Sequence, residues 1–145
     1  MASKTLFLVL CLALFAIEVH GAKTFKAYRR KTAFFTAWQI CRLYGGHLAS
    51  ILSAEENAMV ESAIEAVGTF DGYWFIGGTD IGVEGRFIWI GLNMAINGAA
   101  YKNWNTGEPN NLNGNEDCIA MATGAKWIDI PCDSKLEGYV CAFGN

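Results

Sequence analysis

The sequence predicts an α+β fold, with two helices followed by a sheet and one long loop region. Apolar residues recur at helical spacing in two segments before residue 70. After residue 72 they come in five short runs rich in aromatic and β-branched side chains, which is typical of strands. Between the second and third runs, residues 92–117 show little periodicity. Helices and strands are therefore segregated along the chain, as in α+β domains.

Residues 1–21 have the features of a secretory signal peptide. Lys4 precedes the apolar run LFLVLCLALFAI, and Val19 and Gly21 occupy the positions that a signal peptidase reads. The run is too short for a comfortable membrane span, although an uncleaved anchor is the alternative. We therefore expect a secreted, extracellular protein in which residues 22–145 form one domain without a membrane span.

The first helix is predicted from four apolar residues at the i, i+3, i+4, i+7 spacing: Phe34, Ala37, Trp38 and Cys41. Thr32 can cap its N-terminus, and Gly45-Gly46 can end it. Before this helix, FKAY at residues 25–28 can form an edge strand.

The second helix has a clearer start, because Ser53 and Glu56 have the spacing of a capping box. Its buried stripe is predicted to contain four apolar residues: Val60, Ala63, Ile64 and Val67. Gly68 follows the stripe and can end the helix. Each helix is amphipathic, so each needs another element to cover its apolar face.

The strands are predicted from runs bounded by Gly, Asn, Asp or Pro. They are YWFIGG (residues 73–78), RFIWIG (86–91), CIAMA (118–122), KWIDI (126–130) and YVCAF (139–143). In the long loop, Tyr101 and Trp104 argue against disorder. A loop of this length in a small domain is usually functional, and we expect a bound ion to order it.

Four cysteines remain after residue 21: Cys41, Cys118, Cys132 and Cys141. An even number in a small secreted chain predicts two disulfides, with three pairings open. A zinc site is the alternative, but no two of these cysteines have CxxC spacing, and residues 22–145 contain one histidine, His47. We expect His47 to be a half-buried structural residue.

The charge pattern argues against a nucleic-acid partner. The formal net charge is −3, and the one basic cluster is Tyr28-Arg29-Arg30-Lys31. A cluster this small at the end of a strand is explained by solvation alone. The oligomeric state is not indicated by any feature of the sequence.

A polar segment at residues 106–118, TGEPNNLNGNEDC, carries most of the functional signal. It could be a solvated loop, a pair of acid/base carboxylates, or a cage for a hard cation. Calcium prefers six to eight oxygen ligands, which this segment and the nearby Asp129 can supply. Acid/base chemistry by Glu108 and Glu116 would need an apolar pocket to raise one pKa, whereas asparagines surround both. We therefore favour Ca²⁺ as the cofactor and predict no enzyme activity.

Six segments, in order, resemble the C-type lectin carbohydrate-recognition domain in the short, single-domain secreted form of invertebrates. They are AWQICRLYGGHLASI, YWFIGGTD, EGRFIWIG, WNTGEPNN with NEDC, WIDIPC and YVC. The resemblance covers nearly all of residues 22–145. It implies a mainly antiparallel sheet, a long calcium-binding loop region, and the disulfides Cys41–Cys141 and Cys118–Cys132.

The resemblance also implies two calcium sites. The principal calcium, which also contacts sugar, would be held by Glu108, Asn110, Glu116 and Asp129. The auxiliary calcium would be held by Asp80, Glu84, Asn111, Glu116 and Asp117, with Asn111 replacing an acid. The Glu-Pro-Asn order of residues 108–110 is the version associated with mannose, glucose, GlcNAc and fucose. The implied function is a calcium-dependent lectin for mannose-type glycans, with a role in innate immune recognition of microbial surfaces.

One position departs from the family pattern. Ile128 stands in WIDIPC where the family has an asparagine that ligates calcium and donates to a sugar hydroxyl. Isoleucine can do neither, and the unmet hydrogen bond should weaken binding by roughly ten- to a hundredfold. The alternative hypothesis follows: a C-type-lectin-like domain with weakened or lost sugar binding that recognises a protein or another surface.

Overall fold

The structure of the protein, a computed structural model, describes residues 22–144. The predicted signal peptide, residues 1–21, lies outside the described residues. Within the described range, no helix has both the length and the hydrophobicity needed to cross a membrane.

The described chain contains two helices, a short 3-10 turn and a set of mostly short strands, which confirms the predicted α+β class. In chain order they are β1 (Thr24–Tyr28), α1 (Phe34–Leu43), β2 (His47–Leu48), α2 (Ala54–Glu65), β3 (Trp74–Thr79), β4 (Ile88–Trp89), β5 (Met94–Ala95), the 3-10 turn (Leu112–Gly114), β6 (Cys118–Ala122), β7 (Lys126–Ile130) and β8 (Gly138–Phe143).

Strands β8 and β3 organise the sheet. β8 pairs antiparallel with β1 and β2, and parallel with β3. β3 then pairs antiparallel with β4 and β6, while β5 extends β4 and β7 extends β6. The β3–β8 pair is the one parallel contact among these pairings, so the prediction of a mainly antiparallel sheet is confirmed.

Helix α1 buries the predicted residues Phe34, Ala37 and Cys41, but its predicted cap is wrong. The N-cap is Ala33, and no side chain caps the helix. Instead, the Phe34 N–H donates to the carbonyl of Cys132 at 3.0 Å. A backbone hydrogen bond from a distant segment therefore satisfies an N–H at the start of the helix, where we expected the Thr32 side chain to be the acceptor.

Helix α2 begins at the predicted cap, where Ser53 Oγ accepts from the Glu56 N–H at 3.1 Å. The Glu56 carboxylate does not return to Ser53; it accepts from the Leu52 N–H and pairs with Lys23 at 2.7 Å. Val67 was predicted in the buried stripe, but it lies beyond the last helical residue, Glu65, and is 38% exposed.

Two apolar clusters form the core of the described part of the chain. The larger lies between the sheet and α2 and contains Trp74, Trp89 and Trp127. The smaller lies on the α1 side and contains Phe34 and Phe75, together with buried cysteines. Because successive residues of a strand point to opposite faces, the same strands supply both clusters.

The disulfides are Cys41–Cys141 and Cys118–Cys132, and both pairings confirm what the resemblance implies. The first ties α1 to β8. The second ties the start of β6 to the segment after β7. The zinc alternative is thereby excluded for these four cysteines, because their sulfurs are bonded to one another.

The predicted strand at residues 86–91 is reduced to Ile88–Trp89, and the short strands β2 and β5 were not predicted. His47 is half-buried in β2, as expected for a structural residue. In the long loop, Tyr101 and Trp104 pack edge-on against Trp127, with ring centroids 5.8 Å apart in each pair. Aromatic burial therefore orders this part of the loop, contrary to the expectation that an ion alone would do so.

Candidate functional site

Asp129 anchors the polar loop onto β7. Asp129 is 2% exposed. Its two carboxylate oxygens accept from the backbone N–H groups of Asn110 at 3.0 Å and Asn111 at 2.7 Å. Each bond joins the strand to a residue of the loop that is 18 or 19 positions earlier in the chain. A buried carboxylate on a rigid strand thus fixes the loop that was predicted to bind an ion.

The Glu108 side chain lies beside that of Asp129. Its Oε1 accepts from the Asn110 Nδ2 at 3.1 Å, and the Glu108–Pro109 peptide bond is cis. Burial, contact with Asp129 and the negative charges of Asp129 and Glu116 raise the pKa of Glu108 to about 7. The structure therefore brings the carboxylates of all three acids of the predicted principal set into mutual electrostatic range.

Glu116 is hydrogen-bonded to residues of the preceding part of the polar loop. Its Oε1 accepts from the Leu112 N–H at 2.8 Å, and its own N–H donates to Asn111 Oδ1 at 3.1 Å. Asn111 has a φ of 45° and Asn113 a φ of 58°, both in the left-handed region that asparagine tolerates better than most residues. Asn111 therefore serves turn geometry and also supplies a side-chain oxygen.

The acids of the predicted auxiliary set lie where β3 ends. Within residues 22–144, Asp80, Glu84 and Asp117 are the group of acidic side chains whose oxygens all lie within 4.8 Å of one another. The Gly85 N–H donates to Asp80 Oδ2 at 2.8 Å and to Glu84 Oε2 at 2.9 Å. Asn111 and Glu116, the other two residues predicted for this set, direct oxygens to backbone N–H groups of their own loop.

The two sets of acids are neighbours. Burial and then the proximity of Glu84 raise the pKa of Asp80. Burial, contact with Asp80 and the negative charges of Asp80 and Asp129 raise the pKa of Asp117. Asp129 therefore acts electrostatically on both sets, and the sites form one acidic region rather than two separate ones.

The donor atoms fit a hard divalent cation. Among the described residues, two buried side-chain oxygens have no hydrogen-bond partner: Asp80 Oδ1 and Glu108 Oε2. One belongs to each predicted set. Buried polar atoms are nearly always paired, so the unpaired carboxylate oxygen in each cluster is an atom that could ligate a cation. Carboxylate and amide oxygens are also the ligand types that calcium prefers.

Ile128 takes no part in this arrangement. It is half-buried and packs against the smaller apolar cluster, and across the ladder it faces Ala120. Because neighbours along a strand alternate, its side chain leaves β7 on the face opposite to that of Asp129. The apolar side chain at this position therefore contributes packing, which the sequence could not show.

Asn57 was missed by the sequence prediction. It lies on the buried stripe of α2, three residues before Val60, and is 5% exposed. Its Oδ1 accepts from Trp127 Nε1 at 2.8 Å, and its Nδ2 donates to the Ala125 carbonyl at 3.1 Å. The sequence did contain one indication of its role, because Asn57 is a polar residue at helical spacing from the predicted apolar stripe of α2.

Comparison with known proteins gives the family. The model of the C-type lectin domain matches residues 30–143. A perlucin-like protein from Mytilus galloprovincialis is 35% identical over 127 residues, which is 80% of this chain and 78% of that protein.

Two crystal structures with the same fold are those of carbohydrate-binding proteins. The carbohydrate-recognition domain of cow CD23, determined in the presence of a GlcNAc2Man3 oligosaccharide, has a TM-score of 0.74 and 31% identity, over 86% of this chain and 90% of that one. The lectin CEL-I from Cucumaria echinata has a TM-score of 0.75 and 26% identity, over 84% and 90%. The chain therefore belongs to the C-type lectin family, as a carbohydrate-recognition domain braced by two disulfides.

Proposed function

We propose that this chain is a secreted, calcium-dependent lectin of the mannose type, which takes mannose, GlcNAc or fucose. The observation that carries the proposal is the meeting of Glu108, Asn110 and Asp129, with the buried Glu108 Oε2 left without a hydrogen-bond partner among the described residues. Glu116 completes the principal set, because its charge acts on Glu108. The ligands are proposed to be glycans of microbial surfaces, which would make the protein part of innate immune recognition.

The residues of the principal set would hold calcium and bind sugar together. Calcium, when bound, would supply electrophilic coordination for two neighbouring sugar hydroxyls. Glu108 offers a carboxylate that accepts from a hydroxyl, and Asn110 offers an amide that donates to one. Both bonds involve a charged or polarised partner, so they are stronger than bonds between neutral groups. The order of acceptor and donor in Glu-Pro-Asn then selects the hydroxyl geometry.

The auxiliary set would hold a second ion that supports the loop. Asp80, Glu84 and Asp117 supply three carboxylates, and Asp80 Oδ1 is available for a cation. Asn111 and Glu116 are the remaining proposed ligands. Because Asn111 is neutral where the family has an acid, we expect this ion to bind more weakly than it would to a site with a fifth carboxylate at position 111.

The proposal is tested by a glycan array probed with residues 22–145, with calcium and with EDTA. We expect binding to glycans that end in mannose, GlcNAc or fucose, and we expect EDTA to abolish it. Binding that survives EDTA would contradict the calcium dependence. An array that stays blank in calcium would favour the alternative, a domain that recognises a protein or another surface. Hydrolysis of a chromogenic glycoside would instead reveal an enzyme.

The order of acceptor and donor in residues 108–110 can be inverted directly. Exchanging the two roles, with Glu108→Gln and Asn110→Asp together, should move the preference from mannose towards galactose. The physical reason is that the donor and the acceptor trade places while the number of side-chain oxygens stays the same. Competition of immobilised mannan with free galactose and mannose measures the shift. A double variant that keeps the preference for mannose would refute this basis of selectivity.

Ile128 can be replaced by the asparagine that the family has at this position. On the lectin hypothesis, Ile128→Asn should tighten mannose binding by about tenfold, provided that the end of β7 turns the new amide from the α1 side to the site, where it restores a donor and a ligand oxygen. The gain should come with a loss of about 1–2 kcal/mol in unfolding free energy, since the amide replaces a half-buried apolar side chain. Calorimetry with mannose and thermal unfolding measure the two effects. Equal mannose affinity of variant and wild type would show that position 128 does not limit binding.

A further inference from the structure

Asn57 connects α2 to the strand that carries the site. The residue lies on the stripe of α2 that contains the buried Val60 and Ile64, and it is itself 5% exposed. Both polar atoms of its amide are paired, since Oδ1 accepts from Trp127 Nε1 at 2.8 Å and Nδ2 donates to the Ala125 carbonyl at 3.1 Å. Both partners are buried, so water cannot substitute for Asn57.

Trp127 is in turn the attachment point of the long loop. Its N–H donates to the Asn103 carbonyl at 2.9 Å, and its own carbonyl accepts from the Asn105 N–H at 2.8 Å. The Asn105 carbonyl then accepts from the Glu108 N–H at 3.0 Å. A continuous series of hydrogen bonds therefore runs from Asn57 through Trp127 and Asn105 to Glu108.

The same strand also sets the position of Asp129. Asp129 lies two residues after Trp127 on β7, so the two side chains leave the same face of the strand. The Trp127 indole is fully buried, with the Trp89 ring centroid 5.4 Å away and those of Tyr101 and Trp104 at 5.8 Å. Within that packing, the direction of the Nε1–H is fixed by the one acceptor that faces it, Asn57 Oδ1.

We infer that Asn57 is a positioning residue for the calcium and sugar site. Its side-chain hydrogen bonds go to Trp127 and Ala125, not to any of the four proposed ligands of the principal set. It fixes Trp127, and Trp127 fixes both Asp129 on β7 and the loop end that carries Glu108. Outer-shell groups of this kind hold ligands in the geometry that a metal requires. The inference rests on the proposed function for its binding consequence, whereas its structural consequence can be measured without any ligand.

Two variants of α2 separate positioning from general stability. Asn57→Leu keeps the number of side-chain heavy atoms and the branch at Cγ, and it leaves the Trp127 Nε1–H and one bond to the Ala125 carbonyl unmade. Val60→Ala is the matched control, because it also removes a buried contact of α2 but touches none of the bonds to β7. Both should lower the melting temperature, so binding is measured well below the lower of the two melting temperatures.

The expected result is a difference between the variants in binding and in local exchange. Asn57→Leu should weaken calcium and mannose affinity by about tenfold in calorimetry, whereas Val60→Ala should leave both within about twofold. In the calcium-free protein, Asn57→Leu should also speed hydrogen exchange at the amides of Asn105 and Glu108, and Val60→Ala should not. Equal effects of the two variants in both measurements would overturn the inference.

The exchange measurement keeps the two proposals apart. If the wild type binds no calcium, the proposed function fails, and the exchange rates still decide whether Asn57 holds the loop. If the wild type binds calcium and Asn57→Leu binds it equally well, the inference fails and the proposed function stands.

Discussion

Removing calcium should lower the melting temperature of residues 22–145 by on the order of 10 °C for each bound ion. An ion present at about 100 times its dissociation constant stabilises the folded state by about 2.7 kcal/mol. In a domain of this size, 1 kcal/mol corresponds to roughly 4 °C. Without a cation, burial and the negative charges of Asp129 and Glu116 disfavour the charged form of Glu108, as its raised pKa shows. Differential scanning calorimetry in EGTA and in about 10 mM calcium measures the difference.

Glu108→Gln gives a sharper test, because its effect on the melting temperature should be positive without calcium and negative with calcium. In EGTA the variant should melt above the wild type, since a neutral amide replaces a partly buried carboxylate that faces Asp129. In calcium it should melt below the wild type, because a charged ligand is lost. Glu65→Gln is the control: this acid is exposed at the end of α2 and should change neither temperature by much. A Glu108→Gln protein that is less stable in both buffers would contradict the account.

The two disulfides should rank in one order for their contribution to stability and in the reverse order for their contribution to calcium affinity. Cys41–Cys141 spans 100 positions, so replacing both cysteines by alanine should cost about 4.7 kcal/mol in the loop-entropy model. Cys118–Cys132 spans 14 positions, and its loss should cost about 3 kcal/mol. The longer loop therefore gives the larger loss of stability.

The order should reverse for calcium affinity. Cys118 directly follows Glu116 and Asp117, and Cys132 lies three residues after Asp129, so this disulfide joins the two segments that carry proposed ligands. Its removal should weaken calcium binding by about tenfold, whereas removal of Cys41–Cys141 should leave binding nearly unchanged below the melting temperature. Each double alanine variant serves as the control for the other. Calcium affinities that fall in proportion to stability would show that neither disulfide supports the site specifically.

Local sequence signals predicted much of the fold. Strands β6 and β7 begin and end where predicted, because each is an apolar run bounded by turn residues. The start of α2 was predicted because the Ser53 cap is a bond between residues three positions apart. The start of α1 was not, because its first N–H is satisfied by Cys132, almost a hundred positions away in the chain. Contacts of that kind leave no trace in a local pattern.

The sequence and the resemblance named the residues of the candidate site, whose ligand roles stay predictions, but not the residues that support them. The resemblance placed the acids, and the structure brings Asp80, Glu84 and Asp117 together and sets Glu108 beside Asp129. Neither composition nor spacing indicated that Asn57 binds Trp127. For Ile128 the sequence showed a missing amide, whereas only the structure shows what the side chain does instead, which is to pack on the α1 side of the sheet.

The most direct measurement is a crystal structure of residues 22–145 grown in calcium, with the ions located by anomalous scattering. We expect a calcium ion in contact with oxygens of Glu108, Asn110, Glu116 and Asp129. Calcium seen at Asp80 and Asp117 alone, or a loop in which those four side chains point away from one another, would contradict it.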